Sequence, residues 1–330
     1  MFAWQNTPMT GLHLLGIIIG AIIVLLLVLI TVMYEILAQR KFIGWIQRRI
    51  GPNRVGPWGL LQTAADVLKL LIKEDVIPAK ADRAMFSIAP IIAFVPAFMV
   101  LALVPYTMNH VFTAGMNVGV LFYIALSSVS IIGFVLGGWA SNNKYSLVGG
   151  MRSAAQMISY EIPMGMSILG VVMIAGSMNI TTIVADQSHS QFGWYIIPQI
   201  IGFIVFLIAG IAELNWTPFD LPEAESELVA GYFTEYSGFR FAFYMLSEYV
   251  YLFAFAALAT SLFLGGWNGP ILPGWLWFAI KSALIVLLLF WVQATMPRMR
   301  GDQLMSFAWK VLIPVSLFNI LLTGLLSLFV

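Results

Sequence analysis

Apolar stretches separated by short polar segments set the pattern of this chain. A membrane-spanning helix needs about 20 mostly apolar residues, and eight stretches meet that requirement. They are residues 13–36, 85–105, 118–140, 155–178, 196–213, 242–266, 275–296 and 308–329. The first is too long for a removable signal peptide and lacks the cleavage pattern. The pattern therefore predicts an all-α fold: a polytopic membrane helix bundle of about eight transmembrane helices, forming one integral membrane domain over residues 1–330.

A different pattern fills the connection between the first two spans, residues 37–84. The pairs Gly51-Pro52 and Gly56-Pro57 predict a stiff turned segment rather than a helix. Beyond it apolar and polar residues take opposite faces at helical spacing: Leu60, Leu61, Ala64, Val67, Leu68 and Leu71 against Gln62, Asp66, Lys69 and Lys73. Such an amphipathic helix lies in the membrane interface. It serves either as a surface anchor or as the rim of an opening through which an amphiphile enters from the lipid.

Composition supports a membrane protein and excludes several kinds of cofactor site. Hydrophobic residues make up 61% of the chain, more than the core of a soluble domain absorbs. The absence of cysteine excludes disulfides, thiolate-held iron–sulfur clusters and cysteine zinc sites. The three histidines lie outside the middle of every span, which excludes paired axial haem ligation. We therefore expect the chain to bind no metal and no redox cofactor of its own.

Lysine and arginine fall on alternate connections between the spans. Nine lie between spans 1 and 2, and others lie in the 3–4, 5–6 and 7–8 connections, while the remaining connections and both ends have none. The positive-inside rule then places both termini outside and the charged connections in the cytoplasm. We expect a multi-pass protein of a bacterial plasma membrane or, if organellar, of the mitochondrial inner membrane.

Acidic residues concentrate in and beside the 5–6 connection, residues 214–241. Six of the fifteen acids are found here: Glu213, Asp220, Glu223, Glu225, Glu227 and Glu235. The connection is either a solvated acidic face or a segment folded back among the helices. Interleaved apolar residues such as Phe219 and Leu228 argue against a disordered, solvated loop. In a folded segment, neighbouring carboxylates cannot all ionise, so the cluster would hold and exchange protons.

Glu161, Glu248 and Lys281 also lie within predicted spans, where an ionisable group is costly and needs a partner. Glu161 is followed by Pro163, whose missing amide leaves the Ser159 carbonyl without its helical partner. Glu161 has either a merely structural role, such as a single interhelical hydrogen bond, or a role in handling protons. With Glu213 and Glu248 it would extend the acids of the connection into the bilayer as a proton relay. Lys281 is expected to snorkel to the outer interface, or alternatively to contact another charged membrane subunit.

Three stretches in this order resemble one protein family: GLLQTAADVLKLLIKED, YSLVGGMRSAAQMISYE and PFDLPEAESELVAG. The family comprises the H subunits of proton-pumping NADH:quinone oxidoreductase, respiratory complex I, whose mitochondrial counterpart is subunit 1. The resemblance covers essentially the whole chain. The third stretch is specific to this family and to its relatives in membrane-bound hydrogenases.

The resemblance implies a subunit without redox cofactors in an enzyme whose substrate is quinone. NADH, FMN and iron–sulfur clusters would be bound by partner subunits. Its partners would be the peripheral redox arm, antiporter-like membrane subunits and membrane lipids, with no nucleic acid. The implied proton path comprises Glu35, Asp66, Glu161, Glu213, Asp220, Glu223, Glu225, Glu227, Glu235 and Glu248. The implied quinone-binding residues are Arg40, Lys41, Arg48, Arg49, Arg54 and Phe219.

Two positions depart from the family pattern. Gln39 stands where the family commonly has an acid, and Glu35, one helical turn earlier, is expected to take that role. Trp216 stands where the family often has an arginine before the Pro-Phe-Asp element. Without that cation we expect a higher proton affinity in the cluster, or a compensating cation from a partner.

The combined expectation is a membrane subunit that forms the membrane side of the quinone chamber and couples quinone reduction to proton translocation. One alternative is the homologous subunit of a membrane-bound hydrogenase or ferredoxin-linked ion pump, which would differ in its redox partners. Another is a stand-alone ion-coupled transporter. Such folds usually contain an internal repeat, and residues 1–165 and 166–330 show no convincing one.

Overall fold

The computed structural model describes residues 11–106, 116–189, 193–222 and 228–328, and all regular elements in these ranges are helical. The predicted all-α class is therefore confirmed. The chain divides into two compact units, one ending at Leu68 and the other beginning at Lys69. Each unit is described by itself.

The first unit begins with α1, Gly11–Ile46. This helix extends ten residues beyond the predicted end of the span at residue 36, so the start of the predicted 37–84 connection is helical. The physical reason is that no proline interrupts the helix before Pro52. Gly44 is tolerated within it because the backbone packs closely there: a Cβ at Gly44 would lie 3.1 Å from the Arg49 carbonyl oxygen. Residues 47–61 then contain a single 3-10 turn, Pro57–Gly59.

The predicted amphipathic helix follows as α2, Gln62–Ile72. Its apolar residues are not covered by the protein: Val67, Leu68 and Leu71 are each at least half exposed. An uncovered apolar face on a short helix is what the membrane interface accommodates.

The second unit contains the remaining spans. Its helices are α3 Arg83–Leu101, α4 Gly119–Ala140, α5 Lys144–Ala175, α6 Ile180–His189, α7 Ile200–Glu213, α8 Gly238–Phe263, α9 Gly274–Thr295, α10 Gly301–Phe307 and α11 Ile313–Leu326. The last two are joined through a π turn, Ala308–Leu312, where Pro314 lacks the amide that would bond the Lys310 carbonyl. The short α6 was not predicted.

The helices lie at the eight predicted spans, which confirms the polytopic bundle. Within the described residues, six helices are long and apolar enough to cross a membrane, counting Gly301–Leu326 as one. Ile200–Glu213 is shorter, with 14 residues. Local side-chain caps fix where two of the long helices begin. Asp82 accepts hydrogen bonds from two amides at the start of α3, and Asn143 accepts one at the start of α5.

Small residues allow the central helices to pack closely. Helix α5 packs against α4, α7 and α11, and α8 packs against α3 and α9. A Cβ at Gly133 of α4 would lie 2.5 Å from the Ala93 backbone nitrogen of α3. A Cβ at Gly149 of α5 would lie 2.7 Å from the Cα of Gly231. Glycine is therefore required at both contacts, as is typical of helix packing in membranes.

The described flanks of the acidic connection fold back among the helices. Trp216, Phe219 and Leu221 are buried on one side, and Tyr232 and Phe233 are buried on the other. The second flank joins an aromatic cluster that includes Phe86, Phe134 and Tyr244. These flanks are thus part of the protein core rather than a solvated loop.

Candidate functional site

A small cavity lies where three helices of the second unit bring acidic residues together. Glu213 is the last residue of α7, and Glu248 lies in the third turn of α8. Both line a cavity of about 30 Å³, room for about two water molecules. Its other polar lining residues are Ser127, Ser130, Asn215, Tyr232, Ser247 and Tyr251. A cavity of this size that contains both carboxyl and hydroxyl groups is a suitable place for proton transfer.

Glu161 is connected to this cavity through serine hydroxyls of α4. Its Oε1 accepts a hydrogen bond of 3.1 Å from Ser127 Oγ and another from Ser128 Oγ. Ser127 also lines the cavity. Because a hydroxyl both donates and accepts, Ser127 can relay a proton between the cavity and Glu161. The predicted need for a partner is met by these two serines.

The carboxyls of Glu161 and Glu213 interact electrostatically. Both are partly buried, and like charges repel more strongly where water is scarce. A negative charge on one therefore opposes a charge on the other. This coupling is the property a relay of carboxyls requires, since a proton gained at one site changes the proton affinity of its neighbour.

Glu248 is held by Trp216, the residue from which we expected no cation for the cluster. The indole Nε1 of Trp216 donates a hydrogen bond to Glu248 Oε1. Asp220, four residues after Trp216, interacts with Glu248 electrostatically. The position expected to leave the cluster without a cation therefore supplies a neutral donor instead.

The flank that carries Trp216 is bonded to the last turn of α9 and to the connection after it. Thr217 Oγ1 donates to the Gln293 carbonyl at 2.8 Å, and the Met299 amide donates to the Pro218 carbonyl at 2.9 Å. Phe219, a predicted quinone-binding residue, is 3% exposed and packs against Tyr160 with ring centroids 5.2 Å apart. Its contact with quinone stays a prediction. Three predicted proton-path residues, Glu223, Glu225 and Glu227, lie outside the described residues.

Glu235 is not among the residues that line the cavity. It contacts Asn143, the residue that caps the start of α5. Its Oε1 accepts a hydrogen bond of 2.6 Å from Asn143 Nδ2. Burial raises the pKa of the neighbouring Tyr236 phenol to about 12, although hydrogen bonds with Tyr244 and Ser141 and the charge of Arg240 act in the opposite direction. Tyr236 is therefore neutral at physiological pH and adds no negative charge beside Glu235.

In the first unit the predicted quinone-binding bases are placed around the end of α1. Arg40 Nη1 forms a salt bridge of 2.5 Å with Asp66 Oδ2 of α2, so Asp66 is paired with a base. Lys41 Nζ donates to the Trp58 carbonyl. The other predicted bases, Arg48, Arg49 and Arg54, are exposed, and Glu35 lies on α1 one turn before Gln39. The described residues include no group of three or more metal-ligating side chains.

The prediction that Lys281 snorkels was wrong. Lys281 is 4% exposed, and its ammonium donates to the carbonyls of Leu264, Gly266 and Asn268 at 2.7, 3.1 and 2.7 Å. It also lies 4.4 Å from the Trp194 ring centroid. The reason is that the C-terminal end of α8 presents unpaired carbonyls to a cation. A capping site built from distant residues leaves no local signal in the sequence.

Sequence reasoning also missed the hydroxyl groups of the site. Ser127, Ser128 and Ser130 form the run Ser-Ser-Val-Ser in an otherwise apolar span. Polar residues clustered within one turn of a membrane helix indicate a face directed at protein or water. That signal could have indicated the partner of Glu161.

Comparisons with known proteins give one consistent result. A sequence model of the family described as NADH dehydrogenase matches residues 19–324. Three similar curated proteins, each named as the H subunit of NADH-quinone oxidoreductase, come from Bacillus cytotoxicus, Brevibacillus brevis and Bacillus thuringiensis. The Bacillus cytotoxicus protein is 62% identical over 313 residues, covering 93% of this chain and 92% of its own. The Brevibacillus brevis protein is 58% identical over 325 residues, covering 97% and 95%. The Bacillus thuringiensis protein is 62% identical over 313 residues, covering 93% and 92%.

Proposed function

The chain belongs to the NADH dehydrogenase family, and from that membership we propose that it couples quinone reduction to proton translocation in an NADH-quinone oxidoreductase. It is a membrane subunit, and NADH, FMN and iron–sulfur clusters belong to its partners. Quinone receives electrons from a cluster in a neighbouring subunit. The names of the similar proteins favour this function over the hydrogenase alternative.

The observation that carries the proposal is the cavity shared by Glu213 and Glu248, with Glu161 connected through Ser127. Carboxyl, hydroxyl and water groups in contact form a path along which protons move by short steps. Because Glu161 and Glu213 repel each other when both are charged, protonation of one favours charge on the other. A change of charge at one end of the path therefore alters proton occupancy along it.

Reduction of quinone would supply that change of charge. We propose that the bases at the end of α1 and in the following turn, Arg40, Lys41, Arg48, Arg49 and Arg54, line the quinone entrance together with α2. The headgroup takes up protons on reduction, and the acids of residues 214–241 respond to its charge. The proposal places these residues on the cytoplasmic side, as the distribution of lysine and arginine predicts.

The test replaces the acids of the path with their neutral isosteres in the assembled complex. Three single variants are made: Glu161→Gln, Glu213→Gln and Glu248→Gln. Each is expected to lower quinone-dependent NADH oxidation and proton translocation together by about tenfold or more, which corresponds to an increase of about 1.4 kcal/mol in the activation free energy. Both rates are measured in membrane vesicles, and NADH oxidation by a water-soluble electron acceptor reports intact assembly of the redox arm.

The matched control is Glu74→Gln, because Glu74 is an exposed acid outside the path and its substitution should leave both rates unchanged. Full proton translocation in all three path variants would refute the proposed relay.

A further inference from the structure

Trp216 lies in a fixed position beside the acid cavity. It is 5% exposed, and its ring packs against Phe290, with centroids 5.7 Å apart, and against Tyr249, with centroids 6.2 Å apart. Its single polar side-chain atom, Nε1, donates to Glu248 Oε1. The two neighbouring rings restrict rotation of the indole, so the direction of its N–H bond is set by packing.

The chemistry of this contact differs from that of an ion pair. An indole N–H is a donor only, and it neither gains nor loses a proton at physiological pH. It can fix one oxygen of a carboxyl group while leaving the other oxygen for water. An arginine in the same place would instead put a permanent positive charge beside the carboxyl.

Acids and phenols lie near Glu248 in the described part of the chain, and the cations Arg152, Arg298 and Arg300 line a separate pocket with Leu221, the residue after Asp220. Asp220 lies on the same flank as Trp216 and interacts with Glu248 electrostatically. Glu213, Tyr232 and Tyr251 line the same cavity from α7, the flank before α8, and α8 itself. Glu161 of α5 is connected through Ser127 of α4. A neutral donor in this setting positions Glu248 without cancelling the charge that the cluster passes along.

We propose that Trp216 is a positioning residue for proton transfer through Glu248, holding one carboxyl oxygen by its indole N–H so that the other faces the cavity. This inference rests on the proposed function, because it assigns Trp216 a role within the same relay. The neutral indole supplies the direction of the bond, and the charge of Glu248 stays available to its neighbours.

The experiment compares two substitutions at Trp216 in the assembled complex. Trp216→Phe keeps a ring that can stack on Phe290 but removes the N–H, and Trp216→Arg adds a permanent cation. Quinone-dependent NADH oxidation is measured from acidic to alkaline pH. We expect the two variants to displace the pH profile in opposite directions from the parent, each by about one pH unit, the shift that a hydrogen bond to a charged group produces.

The matched control is Trp309→Phe. Trp309 Nε1 donates to Ser159 Oγ at 3.3 Å, so this variant also loses an indole hydrogen bond, but not one to a carboxyl group. Because the bond that this control removes is to a hydroxyl and not to a carboxyl group, its pH profile should coincide with that of the parent. A merely structural role for Trp216 would lower the amount of assembled complex, seen on native gels, without displacing the profile.

A spectroscopic measurement provides an independent readout. Infrared difference spectra of the quinone-reduced minus oxidised complex contain bands of protonated carboxyl groups. The band that disappears in Glu248→Gln is expected to change frequency in Trp216→Phe and to be unchanged in Trp309→Phe, because only the former removes a bond to that carboxyl.

The outcomes separate this inference from the function on which it rests. If Glu248→Gln abolishes proton translocation while Trp216→Phe shifts neither the pH profile nor the infrared band, the role of Trp216 is refuted and the relay stands. If Glu248→Gln translocates protons at the parental rate, the relay through Glu248 is refuted. If Trp216→Arg fails to assemble, the Trp216→Phe result alone decides.

Discussion

Two charged side chains, Glu248 of α8 and Lys281 of α9, are held in opposite ways. At the C-terminal end of α8, the Lys281 ammonium uses its three N–H donors on three carbonyl oxygens and lies over the Trp194 ring. In the first half of α8, Glu248 has a neutral donor on one oxygen and borders a water-sized cavity. All three hydrogen-bond donors of the lysine are used, whereas the glutamate has an oxygen left with which to exchange a proton.

The difference separates structural charges from functional ones. A cation whose three donors are all bonded to backbone carbonyls has no titratable partner among them, and its hydrogen bonds stabilise a helix end and the turn after it. A partly satisfied carboxyl beside water and other carboxyls can change its charge at low cost. In a membrane protein, where every buried charge attracts functional interpretation, the number of partners and the space for water distinguish the two cases.

The largest expected effect comes from removing the saturated charge. Lys281→Met leaves three buried carbonyls without their donor and should destabilise the protein by about 3 kcal/mol or more. We expect less assembled complex and a lower midpoint of thermal inactivation, with normal turnover in the complex that remains. Lys310→Met, which removes an exposed lysine, is the control and should change neither. A selective loss of proton translocation in Lys281→Met would contradict the assignment of Lys281 as a structural charge, because it would make the lysine part of the proton path.

A smaller effect is expected from the hydroxyls that hold Glu161. The double substitution Ser127→Ala and Ser128→Ala removes both donors to this carboxyl and should lower quinone-dependent turnover about tenfold. The midpoint of thermal inactivation should change little, because the bonds that both hydroxyls also make to the Ile124 carbonyl lie within their own helix. Ser261→Ala removes a similar bond within α8 at its far end and should leave turnover intact. Equal loss of stability and turnover in the double variant would instead make these serines structural.

The smallest expected effect concerns the space for water. Ser247→Val places extra methyl groups at the cavity wall, while Ser247→Ala leaves the cavity open. We expect the valine variant to lower quinone-dependent turnover about fivefold, or roughly 1 kcal/mol, and the alanine variant to leave it within about twofold of the parent, the precision of such an assay. Equal turnover in both variants would show that water in this cavity is not needed for transfer.

The parts of the fold that the sequence predicted are those governed by local composition. A span is recognisable because about 20 apolar residues must be consecutive, and the amphipathic helix α2 because its faces repeat at helical spacing. The short α6 and the extension of α1 to Ile46 were missed. Residues 37–46 mix polar and apolar positions, so no hydropathy pattern distinguishes a helix that continues beyond the lipid from a loop.

The site was predicted in its acids but not in its partners. Glu161, Glu213 and Glu248 were identifiable because a carboxyl in an apolar span is costly enough to be noticed. Their contacts with Ser127 and Trp216 join residues more than 30 positions apart, and no spacing in a single sequence encodes such pairs. Lys281 was misinterpreted for the same reason. The backbone carbonyls that bind it follow the end of α8, and a sequence does not show which carbonyls a helix end leaves unpaired.

The contact between Gly149 and Gly231 has a mechanical consequence. Two opposed glycines have no side chain that could rotate to absorb movement, so displacement of one backbone must displace the other. Gly231 precedes Tyr232 on the cavity wall, and Gly149 lies on the helix that carries Glu161. The buried flank and α5 are therefore in direct backbone contact, so a displacement of the acidic connection towards α5 acts on the helix that carries Glu161.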